Sequence, residues 1–253
     1  MKSKAHLMTK KLFLLASVCF LFLTSGCGLD VYYVLVSPHD CVHVPVYSNN
    51  YDNSYFEFLT NDESFESGGG LDFLGTEVYY KIYSNYSKMI SDTETVISLS
   101  STDETTAATR LITTYNYKAL KIKDSTDAVL VPHKSYNQRV YIRLTDYLDI
   151  EDFSARVEIY NTTETPQVIT KSGMPVRNIP ERKTFNFGRT GTLDGAPKAT
   201  DEEDVNYTTQ SEPNKWYVAM FAVAVGKDYL FTQYYSNVLY LGCVTIDADS
   251  ADN

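Results

Sequence analysis

The sequence predicts a mainly β fold: an antiparallel sandwich enlarged by an insertion that carries one short helix. Three observations predict it. Strand-favouring residues are plentiful, with 21 Tyr and 12 Phe beside many Val, Ile and Thr in 253 residues. Short segments alternate apolar and polar side chains, as half-buried strands do. These segments follow one another closely with little helical periodicity between them, which favours antiparallel pairing over strand–helix–strand units.

Taken in chain order, residues 31–36 (VYYVLV) open with an apolar, β-branched segment, followed by Cys41-Val42-His43-Val44. Pro45 marks an edge or a strand end. Residues 55–59 alternate as a strand, and residues 60–70 form a polar, glycine-rich turn. Residues 76–84 are a clear strand, with Val78, Tyr80 and Ile82 on one face and Tyr79, Lys81 and Tyr83 on the other. Ser101 with Glu104 has the spacing of a capping box. Ala108, Leu111, Ile112 and Tyr115 then share a helical face. Short strands follow at 119–122, 128–131, 139–144 and 155–160, with Val140, Ile142 and Leu144 alternating against Tyr141, Arg143 and Thr145. The polar stretch 186–215, with the acidic run Asp201-Glu202-Glu203-Asp204, reads as a long exposed loop with a solvated acidic face. Two apolar strands close the chain, at 215–226 and 234–246.

The N-terminus has a different grammar. Lys2, Lys4, Lys10 and Lys11 precede the unbroken apolar run 12–23, and Thr24-Ser25-Gly26-Cys27 follows it. This is the layout of an export signal, and the run is too short for a membrane-spanning helix. The segment LTSGC at 23–27 resembles the lipobox of bacterial lipoproteins, in the looser form familiar from spirochaetes. The resemblance implies cleavage after Gly26, diacylation of Cys27 and tethering of the mature chain to a membrane of the cell envelope. The other reading is an ordinary signal peptide with an idle Cys27. Residues 1–26 hold four lysines and no acid, so their removal takes the net charge from −10 to −14. Such a charge opposes binding to nucleic acid or anionic lipid through bulk electrostatics. Residues 27–37 are then the lipidated N-terminus and tether or first strand, and 38–253 a single enlarged domain.

Cys41 and Cys243 remain for the mature chain. An exported pair of this kind suggests one disulfide, with two buried free thiols as the alternative.

The motif Val78-Tyr79-Tyr80-Lys81-Ile82-Tyr83 and the closing strands Trp216-Tyr217-Val218-Ala219-Met220-Phe221-Ala222-Val223 and Ser236-Asn237-Val238-Leu239-Tyr240-Leu241-Gly242 resemble an immunoglobulin-like sandwich of the fibronectin type III kind. The chain is more than twice the length of such a module, which implies an insertion at about 86–205. In that resemblance first and last strands are often neighbours, a placement that favours the bridge.

Chemistry-bearing motifs are sparse. The chain contains no G-x-S-x-G, HExxH, P-loop or CxxC. His39-Asp40-Cys41-Val42-His43 is the densest cluster, and a regular strand would put Cys41 and His43 on one face. Without further ligands this reads as an ordinary strand, so no metal, cofactor or catalytic residue is assigned. Three N-x-S/T sequons, at Asn85, Asn161 and Asn206, are chance matches in such a chain. The tyrosines are too many to share the inner faces, so some must stand outward and could form a contact surface. The expectation is a membrane-anchored, non-enzymatic interaction module whose partner is an envelope or host protein. A carbohydrate-binding or glycan-cleaving envelope protein, with a glycan as partner, and a structural envelope component are the alternatives.

Overall fold

The computed structural model describes residues 35–45, 51–65, 70–102, 104–147, 151–187, 196–197 and 202–248. The lipobox, Tyr32 and Tyr33 fall outside them. Two short strands come first, β1 (Cys41–His43) and β2 (Phe56–Leu59), then a long one, β3 (Leu71–Tyr83). Two helices follow, α1 (Tyr86–Thr102) and α2 (Glu104–Thr113). Next come β4 (Lys118–Ala119), β5 (Lys121–Ile122), β6 (Val131–Pro132), β7 (Gln138–Arg143), β8 (Arg156–Asn161), β9 (Val168–Gly173), β10 (Pro175–Val176) and β11 (Val205–Asn206). The chain closes with β12 (Lys215–Asp228), β13 (Gln233–Tyr235) and β14 (Leu239–Asp247).

The fold is mainly β and built of antiparallel sheets, as the alternation predicts. The first sheet runs β1-β2-β7-β8-β9. The second is centred on the long antiparallel pair β3 and β12; β13 and β14 flank β12, while β4, β6 and a parallel β11 flank β3. Phe56, Phe58, Val140, Ile142, Val157 and Ile159 of the first sheet pack against Val78, Tyr80, Ile82, Trp216, Val218 and Met220 of the second, making the sandwich core. The stretch 86–205 carries both helices and also β7, β8 and β9 of the first sheet.

The second sheet is covered on its other face too. Tyr79, Tyr83, Tyr217, Ala219 and Phe221 pack there against Met89, Val96, Ala108 and Leu111 of the helices. Burial on both faces explains why β12 reads as a nearly continuous apolar run. On β14 a bulge opposite Met220 and Phe221 keeps Leu241, Val244 and Ile246 facing the sandwich core.

The sequence predicts one helix, and the described residues hold two α-helices. The expected boundary at Ser101 and Glu104 is where α1 ends and α2 begins. The missed helix, α1, is rich in Ser, Thr and β-branched residues, which are poor helix formers. Thr93 and Thr95 donate back to the carbonyls of Ile90 and Ser91. Asn85 caps the helix by accepting the Lys88 amide at 3.0 Å. Packing of Met89 and Val96 on the sheet holds α1 in place. The edge strand β9 was also missed, because its side chains are mostly exposed and carry no alternation.

Candidate functional site

The outward face of the first sheet is where the chain concentrates recognition chemistry. On β2, β7 and β8 the inward residues enter the core, so their neighbours point out. Register places Glu57, Tyr141 and Glu158 side by side across the three strands, with Arg139 beside Tyr160 in the next outward row. Tyr55 stacks on Tyr141, ring centroids 4.8 Å apart, and His43 stacks on Tyr55 at 3.9 Å. The Arg156 guanidinium lies 5.0 Å from the Tyr141 ring centre, and Arg139 lies 5.8 Å from that of Tyr160. Arg143 reaches the Tyr55 and Phe153 rings and donates from Nε to the Tyr141 hydroxyl at 2.9 Å.

Two carboxylates complete this ladder. Glu57 pairs with Arg139, and Glu158 pairs with Arg156 at 3.4 Å while accepting the Tyr160 hydroxyl at 2.7 Å. Burial and the neighbouring Glu158 push the Tyr160 hydroxyl up to about 12. Three arginines against two glutamates leave this face slightly cationic on an acidic chain. Glu57 and Glu158 each pair with an arginine, while Arg143 donates to the Tyr141 hydroxyl and to the Tyr51 carbonyl. The arrangement can stack and hydrogen-bond.

The expected sites are dispersed. Cys27 lies outside the described residues, as does Asp201. Cys41 and Cys243 are free thiols, and the expected bridge is not made. Cys41 packs against the sandwich core, whereas Cys243 packs against the helix-side core, so the second sheet separates them. The Cys41 thiol lies 3.3 Å from the Tyr240 carbonyl. Nor do Cys41 and His43 share a face. A bulge at Val42 sets Cys41 opposite Phe58 and His43 opposite Glu57, which turns one inward and the other outward. His39 contacts Asn137, and His133 sits near the rings of Phe65 and Phe73. Among the described residues no His, Cys, Asp and Glu side chains converge as a metal site. Trp216 is in the sandwich core and lines no surface.

The acidic run corrects the expectation of a solvated loop. Glu202 and Asp204 are buried, and only Glu203 of the described members is exposed, pairing with Lys118 at 2.7 Å. Asp204 accepts Nε of the fully buried Arg177 at 2.8 Å and the Tyr80 hydroxyl at 2.7 Å. Glu202 bridges Arg177 at 2.7 Å and Lys183 at 2.9 Å. These carboxylates are inside because Arg177, some 25 residues upstream, is inside. The carboxylates in turn hold the guanidinium firmly charged. The cluster ties the segment after β10 and the segment before β11 to β3.

Among the described residues no helix is long and apolar enough to cross a membrane. No known family model, curated protein or solved structure matches this chain, so the geometry stands by itself.

Proposed function

We propose that the chain is an envelope lipoprotein, acylated on Cys27, whose domain acts as a non-enzymatic interaction module. The observation that carries the binding half of this reading is the outward Tyr–Arg ladder on the first sheet. Tyrosine and arginine are enriched at protein interfaces because they bring large contact area together with directional hydrogen bonds. The ladder is ordered by its own stacking, so a partner loses little side-chain entropy on docking there. Its partner is a protein surface with carboxylates near aromatic or aliphatic side chains, which the arginine edges and tyrosine rings would meet. The anchoring half rests on the order of lysines, apolar run and Ser25-Gly26-Cys27.

Mass spectrometry of the mature N-terminus tests the anchor: a diacylated Cys27 supports it, and any other first residue overturns it. Affinity capture from detergent-solubilised envelopes tests the module. The intact chain should retain a protein that the Tyr141→Ser, Arg156→Ser variant does not. Equal capture by both would move the site off this face.

A further inference from the structure

The turn between β12 and β13 presents three consecutive apolar side chains to solvent: Tyr229 at 76 % exposure, Leu230 at 66 % and Phe231 at 80 %. They are the most exposed large hydrophobic residues among those described. Such a cluster costs solubility and marks a contact site.

The turn is built to hold them out. Asp228 Oδ1 accepts the amides of Leu230 and Thr232, each at 2.8 Å, and Oδ2 accepts the Tyr234 hydroxyl at 3.2 Å. The Asp228 backbone closes the loop on both sides, its amide donating to the Thr232 carbonyl and its carbonyl accepting from the Phe231 amide, each at 3.0 Å. Phe231 adopts a positive φ of 64°, unusual for an aromatic residue, and this backbone keeps its ring outward. The Lys227 ammonium lies 5.8 Å from that ring centre, and a shallow groove beside the tip runs between Leu71, Asp72, Tyr229 and Phe231.

The tip's position in the fold names its occupant. Leu71 pairs with Asp228 at the base of the turn. Leu35, where the described chain begins, packs with Leu71, Phe73 and Ala224, with Tyr234 against the same cluster. The next residue, Val36, is exposed. Eight peptide units join Cys27 to Leu35, and they span at most about 28 Å. Cys27 is therefore held within about 28 Å of Leu35, which packs on Leu71 at the base of the turn that carries the exposed aromatics.

We infer that Tyr229, Leu230 and Phe231 insert into the interfacial layer of a lipid bilayer and orient the domain with its β12–β13 end on the membrane. The Tyr229 ring with its polar tip suits the headgroup boundary, and the apolar Leu230 and Phe231 beside it reach the acyl region. The net negative charge disfavours anionic surfaces, so a zwitterionic leaflet is the favoured host. This inference rests on the acylation proposed for Cys27, which supplies the tether while the tip supplies orientation.

The test uses the full chain carrying Leu230→Cys and Cys41→Ser, labelled at position 230 with the environment-sensitive dye NBD. The labelled protein is reconstituted into phosphatidylcholine vesicles. The emission should shift to the blue and be quenched by acyl-chain nitroxide lipids, while the same dye at Glu94→Cys, on the exposed side of α1, should stay water-like. Water-like emission at 230 in vesicle-bound protein overturns insertion. A blue shift in detergent-free buffer without vesicles also overturns it, by showing that the tip docks on another copy of the chain.

The mass spectrum of the same preparation reports acylation separately. If Cys27 is unmodified the anchor reading fails, and the tip is then judged alone by vesicle co-sedimentation. Replacing all three tip residues by serine should lower partitioning at least about tenfold. Unchanged partitioning overturns the tip.

Discussion

Arg177 and Asp204 meet in a fork, Nε to Oδ2 at 2.8 Å and Nη2 to Oδ1 at 2.6 Å, with both side chains wholly removed from solvent. A buried pair of this kind contributes little net stability relative to apolar residues, yet removing one partner leaves an uncompensated charge in the interior. Asp204→Ala should therefore lower the unfolding free energy by about 3–5 kcal/mol, read from the urea midpoint. Glu202→Gln should cost less, because Arg177 retains Asp204. A loss below about 1 kcal/mol in the Asp204 variant would show that the cluster is solvated.

Glu77 gives the fold a pH dependence. It is buried in β3, and desolvation raises its carboxyl to about 7 against the pull of Lys121 and the Leu130 amide. Between about 4.5 and 7 the folded chain keeps a proton that the unfolded chain has lost. Its contribution to stability is thus complete below pH 4.5 and falls away as pH rises to 7, by about 3 kcal/mol in all. Thermal unfolding of Glu77→Gln across that range should show a flatter profile than the parent chain. Parallel profiles would place the titration on another group.

The two thiols should differ in reactivity. Burial pushes Cys243 up to about 12, and burial with the neighbouring Asp40 raises Cys41 less. In the folded chain at pH 8, a thiol reagent should modify Cys41 slowly and Cys243 hardly at all, with both reacting in urea. A Cys41–Cys243 peptide in a non-reducing digest would contradict their placement on opposite faces of the second sheet.

Gly75 sits at φ +131°, where β6 meets β3, and a Cβ there would lie 2.1 Å from the Val131 carbonyl and 2.7 Å from the His133 amide. Both obstacles are backbone and cannot step aside. Gly75→Ala should destabilise the chain by about 2 kcal/mol or more. Gly226→Ala, whose nearest contact would be the Leu71 side chain at 3.2 Å, should cost clearly less in the same denaturation series.

Tyr141→Ser removes the middle of the outward ladder without opening the core, since Val140 and Ile142 face the other way. Stability should fall by about 1 kcal/mol, the size of lost aromatic and cation–π contacts at a partly exposed site. Capture of an envelope partner should fall much further. A stability loss as large as that of a core truncation would make the tyrosine a structural residue.

The sequence by itself determined the strands whose two faces meet different surroundings. Val78, Tyr80 and Ile82, and Val140, Ile142 and Leu144, alternate because each strand has one face in the sandwich core, and that period of two is legible locally. The start of α2 at Glu104 falls where the Ser101–Glu104 spacing points, but Ser101 lies inside α1 and its hydroxyl donates to the Ser98 carbonyl instead of capping α2. The outward tyrosines were legible only as a surplus; the cross-strand register decided which of them form the ladder with Arg143 and Arg156.

The tertiary structure alone decided the rest. The second face of β12 is buried only because α1 and α2 lie on it, and α1 is helical mainly through that packing. One inserted residue at Val42 turned Cys41 away from His43, and the two covered faces of the second sheet put Cys243 out of Cys41's reach. Glu202 and Asp204 read as a solvated run because charge favours water unless a partner is buried beside it. That partner, Arg177, is distant in the chain and adjacent only in the fold. Local periodicity reports which face of a segment is apolar; the long-range partner determines which polar groups may follow it inside.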